Sequence, residues 1–331
     1  MENDVKTNWG ASFKIAALLM AAILLWITIS PPFVHTAYAA PRYGGVVSSA
    51  TVTTHNNFTQ LTFVTNQRLT FTFSYTRDSI SIRINRASSL PATVSIGTNP
   101  LFTSGQWSGD TLTLNFATRD GFMGYYGFFD SNDNTVVRFR NPPSSIAAAR
   151  IVIDPGHGGR DRGAEGFRRD MPEYVINQQM SRLLAEELRG RSATVLVLDT
   201  ARGMELRERV RQAEEFNADI FVSIHNNASA RNPAARGTEV FFYTPFSAVL
   251  AATASRDVSA RFDTLNRRSG RRRFTVLTST RFASVLVEVG FVTNRAEYDK
   301  LINPVYQQRA MEGLASAISS SINHAYSGRP N

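Results

Sequence analysis

The sequence predicts an α/β protein in which a C-terminal αβα sandwich with a mostly parallel sheet follows a small antiparallel β-sandwich domain. Two observations lead to this prediction. Residues 41–145 contain no Lys and no Glu and are rich in Thr, Phe, Val and Ile, a composition that favours strands over helices. After residue 150, short apolar runs alternate with amphipathic segments, which is typical of a parallel sheet covered by helices. The 331 residues are enough for two such domains.

The charge and the cysteine content limit the classes of function. The chain has 36 Lys and Arg against 27 Asp and Glu, a formal net charge of +9, so it suits a polyanionic neighbour such as nucleic acid, anionic lipid or an acidic cell wall. It has no cysteine, which excludes disulfides, thiolate metal sites and a lipid-modified Cys anchor. Any metal must therefore be held by His and carboxylate side chains.

The first 39 residues have the features of an export signal. Residues 15–29 are an apolar run that follows Lys14, and Ala37-Tyr38-Ala39 is a small-x-small cleavage signature. The run is shorter than the roughly twenty residues that a membrane-spanning helix needs. We therefore expect a signal peptide over 1–39, cleaved after Ala39, the alternative being an uncleaved N-terminal anchor. Both interpretations place the rest of the chain outside the cytoplasm.

Strict alternation of apolar and polar residues predicts strands in the next segment, 41–140. The pattern is clear over 69–75 and 80–84, and further strands are expected at 112–116 and 136–139. We predict a compact antiparallel sandwich that binds rather than catalyses, because it holds no polar constellation that could do chemistry. Asn and Pro residues then break the pattern and mark a linker at 141–149.

The segment 150–324 is predicted to alternate between strands and helices. Strands are expected at 151–153, 194–198, 219–224, 238–243 and 285–289, and helices at 174–189, 204–216, 247–262 and 305–323. In open α/β sheets, ligands bind beyond the carboxyl ends of the strands, so the residues that follow these strands are the candidates for function.

Ionisable side chains stand at three of these strand ends and at the start of the first helix. They are His157, His225, Glu288 and Glu173. Simple alternatives exist for two of them, since Glu173 could be an ordinary first-turn acid behind Pro172 and His225 a polar residue that ends a strand. Glu288 is different, because a carboxylate in an apolar strand is costly unless it is paired or functional. Two His and one carboxylate around Zn²⁺ leave a position for water, and a second carboxylate could take the proton of that water.

Four segments together resemble the zinc-dependent N-acetylmuramoyl-L-alanine amidases of bacterial cell-wall turnover, the amidase-3 family. They are Asp154-Pro-Gly-His-Gly-Gly159, Glu173, Ser223-Ile-His-Asn-Asn-Ala228 and Leu286-Val-Glu-Val-Gly-Phe-Val-Thr-Asn294, and the resemblance covers about 150–323. It implies that 150–324 is a catalytic domain with one Zn²⁺, held by His157, Glu173 and His225, and with Glu288 as the catalytic carboxylate. The bond cleaved would be the amide between N-acetylmuramic acid and L-alanine in peptidoglycan, for wall remodelling or daughter-cell separation.

The resemblance also implies partners and a location. The N-terminal domain is similar, more weakly, to the AMIN-type β domains that target such amidases to the wall. Substrate contacts are expected from Asn227, Asn294, Arg271 and Arg272. We expect an exported monomer in the periplasm or cell envelope of a bacterium, acting on peptidoglycan with room for an activator or divisome protein. Nucleic acid is not expected, and membrane contact is expected only if the N-terminal segment is uncleaved.

Two other functions remain open at this stage. A zinc peptidase that cuts within the stem peptide would use the same metal chemistry. A catalytically inactive wall-binding scaffold would also keep the fold, although the presence of all four candidate residues counts against it.

Overall fold

The computed structural model describes residues 44–327, so the predicted signal peptide lies outside the described residues. The N-terminal unit has two facing sheets, built from β1 (Gly45–Thr54), β2 (Phe58–Thr65), β3 (Thr70–Tyr75), β4 (Ser79–Asn85), β5 (Ala87–Ser89), β6 (Phe102–Ser108), β7 (Thr111–Phe116), β8 (Tyr125–Phe129) and β9 (Thr135–Arg140). The sheets have the orders β5-β1-β2-β9-β8 and β3-β4-β7-β6. Every pairing of these strands is antiparallel except that of β1 with β5, which confirms the predicted antiparallel β unit.

A six-stranded sheet with helices on both faces forms the C-terminal unit. Its strands are β10 (Arg150–Pro155), β11 (Thr194–Val197), β12 (Ile220–Asn227), β13 (Thr238–Phe242), β14 (Asn266–Arg271) and β15 (Ala283–Phe291), and its helices are α1 (Glu173–Gly190), α2 (Leu206–Glu215), α3 (Ala248–Phe262), α4 (Arg295–Leu301) and α5 (Pro304–Tyr326). The strand order is β11-β10-β12-β15-β13-β14. Strands β11, β10, β12 and β15 are parallel to one another. In contrast, β13 runs antiparallel to β15, and β14 runs parallel to β13.

Alternate side chains of the central strands enter two separate cores. Ile151, Ile153 and Val287 belong to the core under α1, α3 and α5, and Val152 and Leu286 belong to the core on the other face, which α2 and the segment 274–282 cover. Strands that are buried on both faces have continuous apolar sequences, and for this reason β10, β12 and β15 could be predicted from the sequence. The predicted αβα sandwich is confirmed.

Five strands of the β-sandwich (β1, β2, β5, β6 and β8) and two elements of the C-terminal unit were not predicted individually. The arginine-rich segment Asn266–Arg271 is the edge strand β14. Its side chains are polar and largely exposed, so they show no apolar alternation, and the strand is held by backbone pairing with β13. The short helix α4 begins at Arg295, and the side chain of Asn294 caps it by accepting a hydrogen bond from the backbone of Glu297. Within the described part of the chain, no helix has both the length and the apolar character needed to cross a membrane.

The β-sandwich packs against the amino-terminal edge of the six-stranded sheet. The Tyr125 amide donates a 2.6 Å hydrogen bond to the Thr280 carbonyl, and Arg140 Nη1 lies 2.9 Å from Asp219 Oδ1. The Phe246 ring packs among three aromatic rings of the β-sandwich, with centroid distances between 5.0 and 6.4 Å. The interface therefore lies at the edge of the sheet opposite to the carboxyl ends of β10, β12 and β15.

Candidate metal centre

The loop that carries His157 is held in an unusual backbone conformation. His157 has a φ of 66°, in the left-handed region that non-glycine residues seldom adopt. Arg209, on α2, donates hydrogen bonds to the carbonyl of Pro155 at 2.9 Å and to that of His157 at 2.9 Å. The same guanidinium is 2.6 Å from Asp154 Oδ1, and this ion pair is buried. Asp154, which the sequence placed beside His157 at the strand end, therefore anchors the loop.

Two glycines of this loop leave the space that the other candidate side chains occupy. A Cβ at Gly156 would lie 2.4 Å from atoms of the His225 ring, and a Cβ at Gly163 would lie 2.6 Å from Glu173 Oε2. A larger residue at either position would collide with the cluster. This requirement explains the glycine-rich sequence after β10.

His157, Glu173 and His225 come together at the carboxyl edge of the sheet. Glu173 Oε1 lies 3.1 Å from His157 Nε2 and 3.0 Å from His225 Nδ1, and one ligand atom from each residue lies within 4.8 Å of the others. Two ligand atoms bound to a tetrahedral zinc ion at about 2.0 Å are about 3.3 Å apart. Two imidazoles and a carboxylate at this spacing fit a zinc ion with an open fourth position. The sequence-predicted ligand set is thus one cluster in space.

The electrostatics of the cluster favour a charged carboxylate between two imidazoles. Burial opposes ionisation of Glu173, but hydrogen bonds from His157 and His225 outweigh it and hold the pKa of Glu173 well below its usual range. Burial likewise opposes protonation of His157, yet its contacts with Glu173 and Asp161 raise the pKa of His157 to about 9. A metal ion that binds here would have to replace that proton.

Asp161 orients the imidazole of His157. Its Oδ2 lies 2.8 Å from His157 Nδ1, and its Oδ1 accepts a hydrogen bond from the Gly163 amide. A carboxylate behind a histidine fixes the tautomer in which the other ring nitrogen is free to bind a metal. Sequence reasoning missed this residue, although its position four residues after His157 in the same turn was a usable signal.

Glu288 lies next to the cluster in a row of ionisable residues. Its register partners are His225 on β12 and Glu239 on β13, so the three side chains share the face of the sheet that α2 covers. Glu288 Oε2 is buried and has no hydrogen-bond partner within residues 44–327. Burial and the neighbouring negative charges of Glu173 and Glu239 raise the pKa of Glu288 to about 7, although His225 opposes the shift. This carboxyl group can therefore exchange a proton near neutral pH.

The predicted substrate contacts fall in two places. Asn227 ends β12 at the metal edge, where its side chain accepts a hydrogen bond from the Ala228 amide, and Asn294 caps α4 at the same edge. Arg271 pairs in register with Phe242, and both Arg271 and Arg272 lie toward the opposite edge, beside the β-sandwich. The structure therefore does not bring Arg271 and Arg272 to the metal cluster. Arg267, in the first half of β14, lies 3.5 Å from Glu239, the register partner of Glu288.

Comparisons with known proteins point to one family. The family profile of N-acetylmuramoyl-L-alanine amidases matches residues 151–320. The chain is 34% identical to the Bacillus subtilis (strain 168) protein YqiI, over 53% of this chain and 85% of that protein, and 31% identical to the N-acetylmuramoyl-L-alanine amidase LytC of the same organism, over 54% of this chain but only 36% of LytC.

A solved structure is similar over the same region. The crystal structure of an N-acetylmuramoyl-L-alanine amidase from Clostridium difficile 630 has 31% identity and a TM-score of 0.50, and it covers 52% of this chain and 95% of that chain. The family match and the structural similarity thus both fall on the C-terminal unit, which carries the cluster. The chain belongs to the N-acetylmuramoyl-L-alanine amidase family and is an enzyme of that class.

Proposed function

We propose that this protein is an exported, zinc-dependent amidase that separates stem peptides from the glycan strands of peptidoglycan. It would cleave the amide between the lactyl group of N-acetylmuramic acid and L-alanine. The observation that supports this proposal most strongly is the unpaired carboxyl group of Glu288 beside a cluster of two imidazoles and one carboxylate. Relatives named as cell wall amidases support a location in the cell wall or outside the cell.

His157, Glu173 and His225 are the residues that would hold the zinc ion. When bound, zinc supplies a Lewis acid that polarises the scissile carbonyl and makes water more acidic. Asp161 keeps the His157 ring in the required tautomer, and Arg209 keeps the loop in place. Both residues act on the position of a ligand and not on the substrate.

Glu288 is proposed to move the proton. As a carboxylate, it would accept a proton from the attacking water and then donate it to the nitrogen of the departing alanine, so that the peptide leaves as an amine. A pKa near 7 suits both steps, because the group is basic enough to take the proton and acidic enough to give it up. Since the base must be deprotonated, activity is expected to fall as the pH drops through this pKa.

The remaining parts of the chain are assigned by the same proposal. Residues 41–140 would be a wall-targeting β domain, 141–149 a linker and 150–324 the catalytic domain. The segment 1–39 would direct export. Peptidoglycan is the proposed substrate, and the periplasm or cell envelope is the proposed location.

Product analysis tests the function directly. Peptidoglycan is incubated with the zinc-loaded protein, with chelator-treated protein and with Glu288→Gln, and the soluble products are identified by mass spectrometry. We expect intact stem peptides with a free N-terminal alanine and glycan without peptide, only with metal and with Glu288. Glu239→Gln, which neutralises the neighbouring carboxylate in the same row, is the matched control and should retain cleavage.

Two other outcomes would reject the proposal in favour of the alternatives. Shortened stems that remain attached to muramic acid would identify a peptidase. Wall binding with no cleavage by the zinc-loaded protein, alone or with an activator, would identify a scaffold.

A further inference from the structure

Arginines without a partner collect at the edge of the sheet that carries the metal cluster. Several exposed guanidinium groups there make no hydrogen bond, ion pair or ring contact with any described residue. We call the six that lie outside the helices the arginine rim: Arg160, Arg169, Arg202, Arg231, Arg236 and Arg268. Arg207, in the first turn of α2, also makes no such contact. Elsewhere, most arginines of residues 44–327 have a carboxylate or carbonyl partner, as Arg140 and Arg209 do.

The chain topology places the rim around the cluster. Arg160 and Arg169 belong to the loop between β10 and α1, Arg202 to the loop between β11 and α2, Arg231 and Arg236 to the loop between β12 and β13, and Arg268 to the first half of β14. The first three loops follow the carboxyl ends of parallel strands. Because β13 is antiparallel to β15, the start of β13 and of the adjacent β14 also lies at this edge.

Backbone contacts tie these loops to the site. The Gly159 amide donates to the Ala201 carbonyl at 3.1 Å, so Arg160 and Arg202 flank the loop that carries His157. On the other side, the Asn294 side chain donates to the Pro233 carbonyl at 3.2 Å, which holds the segment between Arg231 and Arg236 beside the end of β15.

Most of the acids near the rim in sequence are already paired with cations. Asp161 pairs with His157, Glu165 with Arg162 and Asp170 with Arg168, whereas Asp199 and Glu205, on either side of Arg202, have no cationic partner among the described residues. An excess of cations around a site creates a positive potential, and this potential attracts and orients an anionic ligand.

We propose that the arginine rim binds the carboxylates of the stem peptide and makes the enzyme selective for stems whose carboxyl groups are free. This inference rests on the proposed function. In the substrate, the lactyl carboxyl group is consumed in the amide bond, and the N-acetylated sugars carry no charge. All the anionic groups of an unmodified peptidoglycan unit therefore lie on the stem peptide, on the leaving-group side of the bond. A guanidinium group matches a carboxylate with two parallel hydrogen bonds, whereas it gains much less from a carboxamide.

The spread of the rim over four segments suits a flexible peptide with several carboxylates. A single fixed anion would need a single pocket, but the rim offers separate positive charges on both sides of the cluster. Phosphate-rich wall polymers are also anionic, and they are the competing ligand that an experiment must separate from the stem peptide.

Binding to two synthetic muramoyl peptides tests the proposal. One peptide carries free stem carboxylates and the other carries carboxamides at the same positions. Their dissociation constants for the zinc-loaded Glu288→Gln protein, which should not cleave them, are measured by calorimetry. The same background receives R160Q/R202Q or R236Q/R268Q, or the control pair R182Q/R273Q. The control removes the same charge from Arg182 on α1 and Arg273 beyond the end of β14, which are also exposed and without a partner among the described residues.

We expect the carboxylate peptide to bind about tenfold more tightly than the carboxamide peptide, since a hydrogen bond to a charged group contributes more than one to a neutral group. Each rim pair should weaken binding of the carboxylate peptide about tenfold and leave the carboxamide peptide unchanged, while the control pair should change neither by more than about twofold. Equal affinity for both peptides, or an equal loss in the control pair, would overturn the proposal. Displacement of the carboxylate peptide by wall polymer phosphates, with no preference between the two peptides, would assign the rim to phosphate instead.

The readouts keep this inference apart from the proposed function. Cleavage of both peptides by the wild-type protein with no rim-dependent preference would retain the amidase and reject the rim. A rim-dependent preference in binding without cleavage at the alanine bond would reject the amidase and retain the rim.

Discussion

The buried ion pair between Arg209 and Asp154 should control both the stability of the catalytic unit and its affinity for metal. Arg209 is 4% exposed and Asp154 is 1% exposed. The guanidinium also binds the carbonyl groups of Met204, Pro155 and His157. Arg209→Met keeps an apolar stem of similar length but leaves Asp154 buried, with the hydroxyl group of Ser223 as the one side-chain partner that remains among the described residues.

Removal of one member of a buried ion pair costs about 3–5 kcal/mol, because the remaining charge has no compensation. A typical domain has about 5–15 kcal/mol of stability in total, so Arg209→Met should fold but with a much lower midpoint in urea. The double variant Arg209→Met, Asp154→Asn removes the stranded charge and should recover part of this loss. It should not recover zinc affinity, because the His157 carbonyl would still be without its donor.

The assay combines urea denaturation of the metal-free protein, followed by circular dichroism, with zinc affinity from competition with a chelator. Arg211→Met is the matched control, since Arg211 is two residues further along the same helix and pairs with Glu208 and Glu215 in solvent. The control should leave both the midpoint and the zinc affinity nearly unchanged. If Arg209→Met is as stable as Arg211→Met, or if the double variant binds zinc as tightly as wild type, the reasoning is refuted.

Three further predictions concern the cluster and its surroundings. Asp161→Asn should weaken zinc binding about tenfold while thermal stability stays close to wild type, as measured by chelator competition and calorimetry, because the His157 tautomer is no longer fixed; unchanged affinity would exclude this role. Glu239→Gln removes a negative charge that raises the pKa of Glu288, so the acidic limb of kcat/KM should move to lower pH, and a shift to higher pH would contradict the assignment. Gly156→Ala should abolish zinc binding because the new Cβ would overlap the His225 ring, whereas Gly190→Ala, where a Cβ meets nothing within 4 Å, should bind zinc normally.

The architecture was predictable because it depends on local patterns. The apolar runs of β10, β12 and β15 and the helical periodicity of α1 and α5 are present in the sequence. Parallel strands bring their carboxyl ends to one edge, so a His or Glu at the end of each strand could be assigned to a common site without coordinates.

Glu239 and Arg209, which sequence reasoning also missed, depend on long-range pairing. Glu239 joins the row of Glu288 only because β13 inserts antiparallel beside β15, and the sequence of β13 does not reveal its direction. Arg209 lies in an amphipathic helix where an arginine would ordinarily face solvent, but the buried carboxylate of Asp154 draws it inward. Arg271 and Arg272 were expected at the substrate, but they lie at the opposite end of β14 from Arg267 and Arg268. A strand carries the end of such a run away from its beginning, at about 3.3 Å per residue.

The interface between the two units fixes how far the β-sandwich lies from the metal cluster. The β-sandwich is fastened to the amino-terminal edge of the sheet by a backbone hydrogen bond, an ion pair and a cluster of aromatic rings, whereas His157 lies just past the far end of β10. The six residues of Arg150–Pro155 separate these two points by about 20 Å. If the β-sandwich binds the wall, the bond that is cut would therefore lie about one β-strand length from the point of attachment. The glycan strand that holds the β-sandwich would lie on the side of the enzyme away from the metal cluster. The bonds within range would then belong to neighbouring glycan strands of the peptidoglycan.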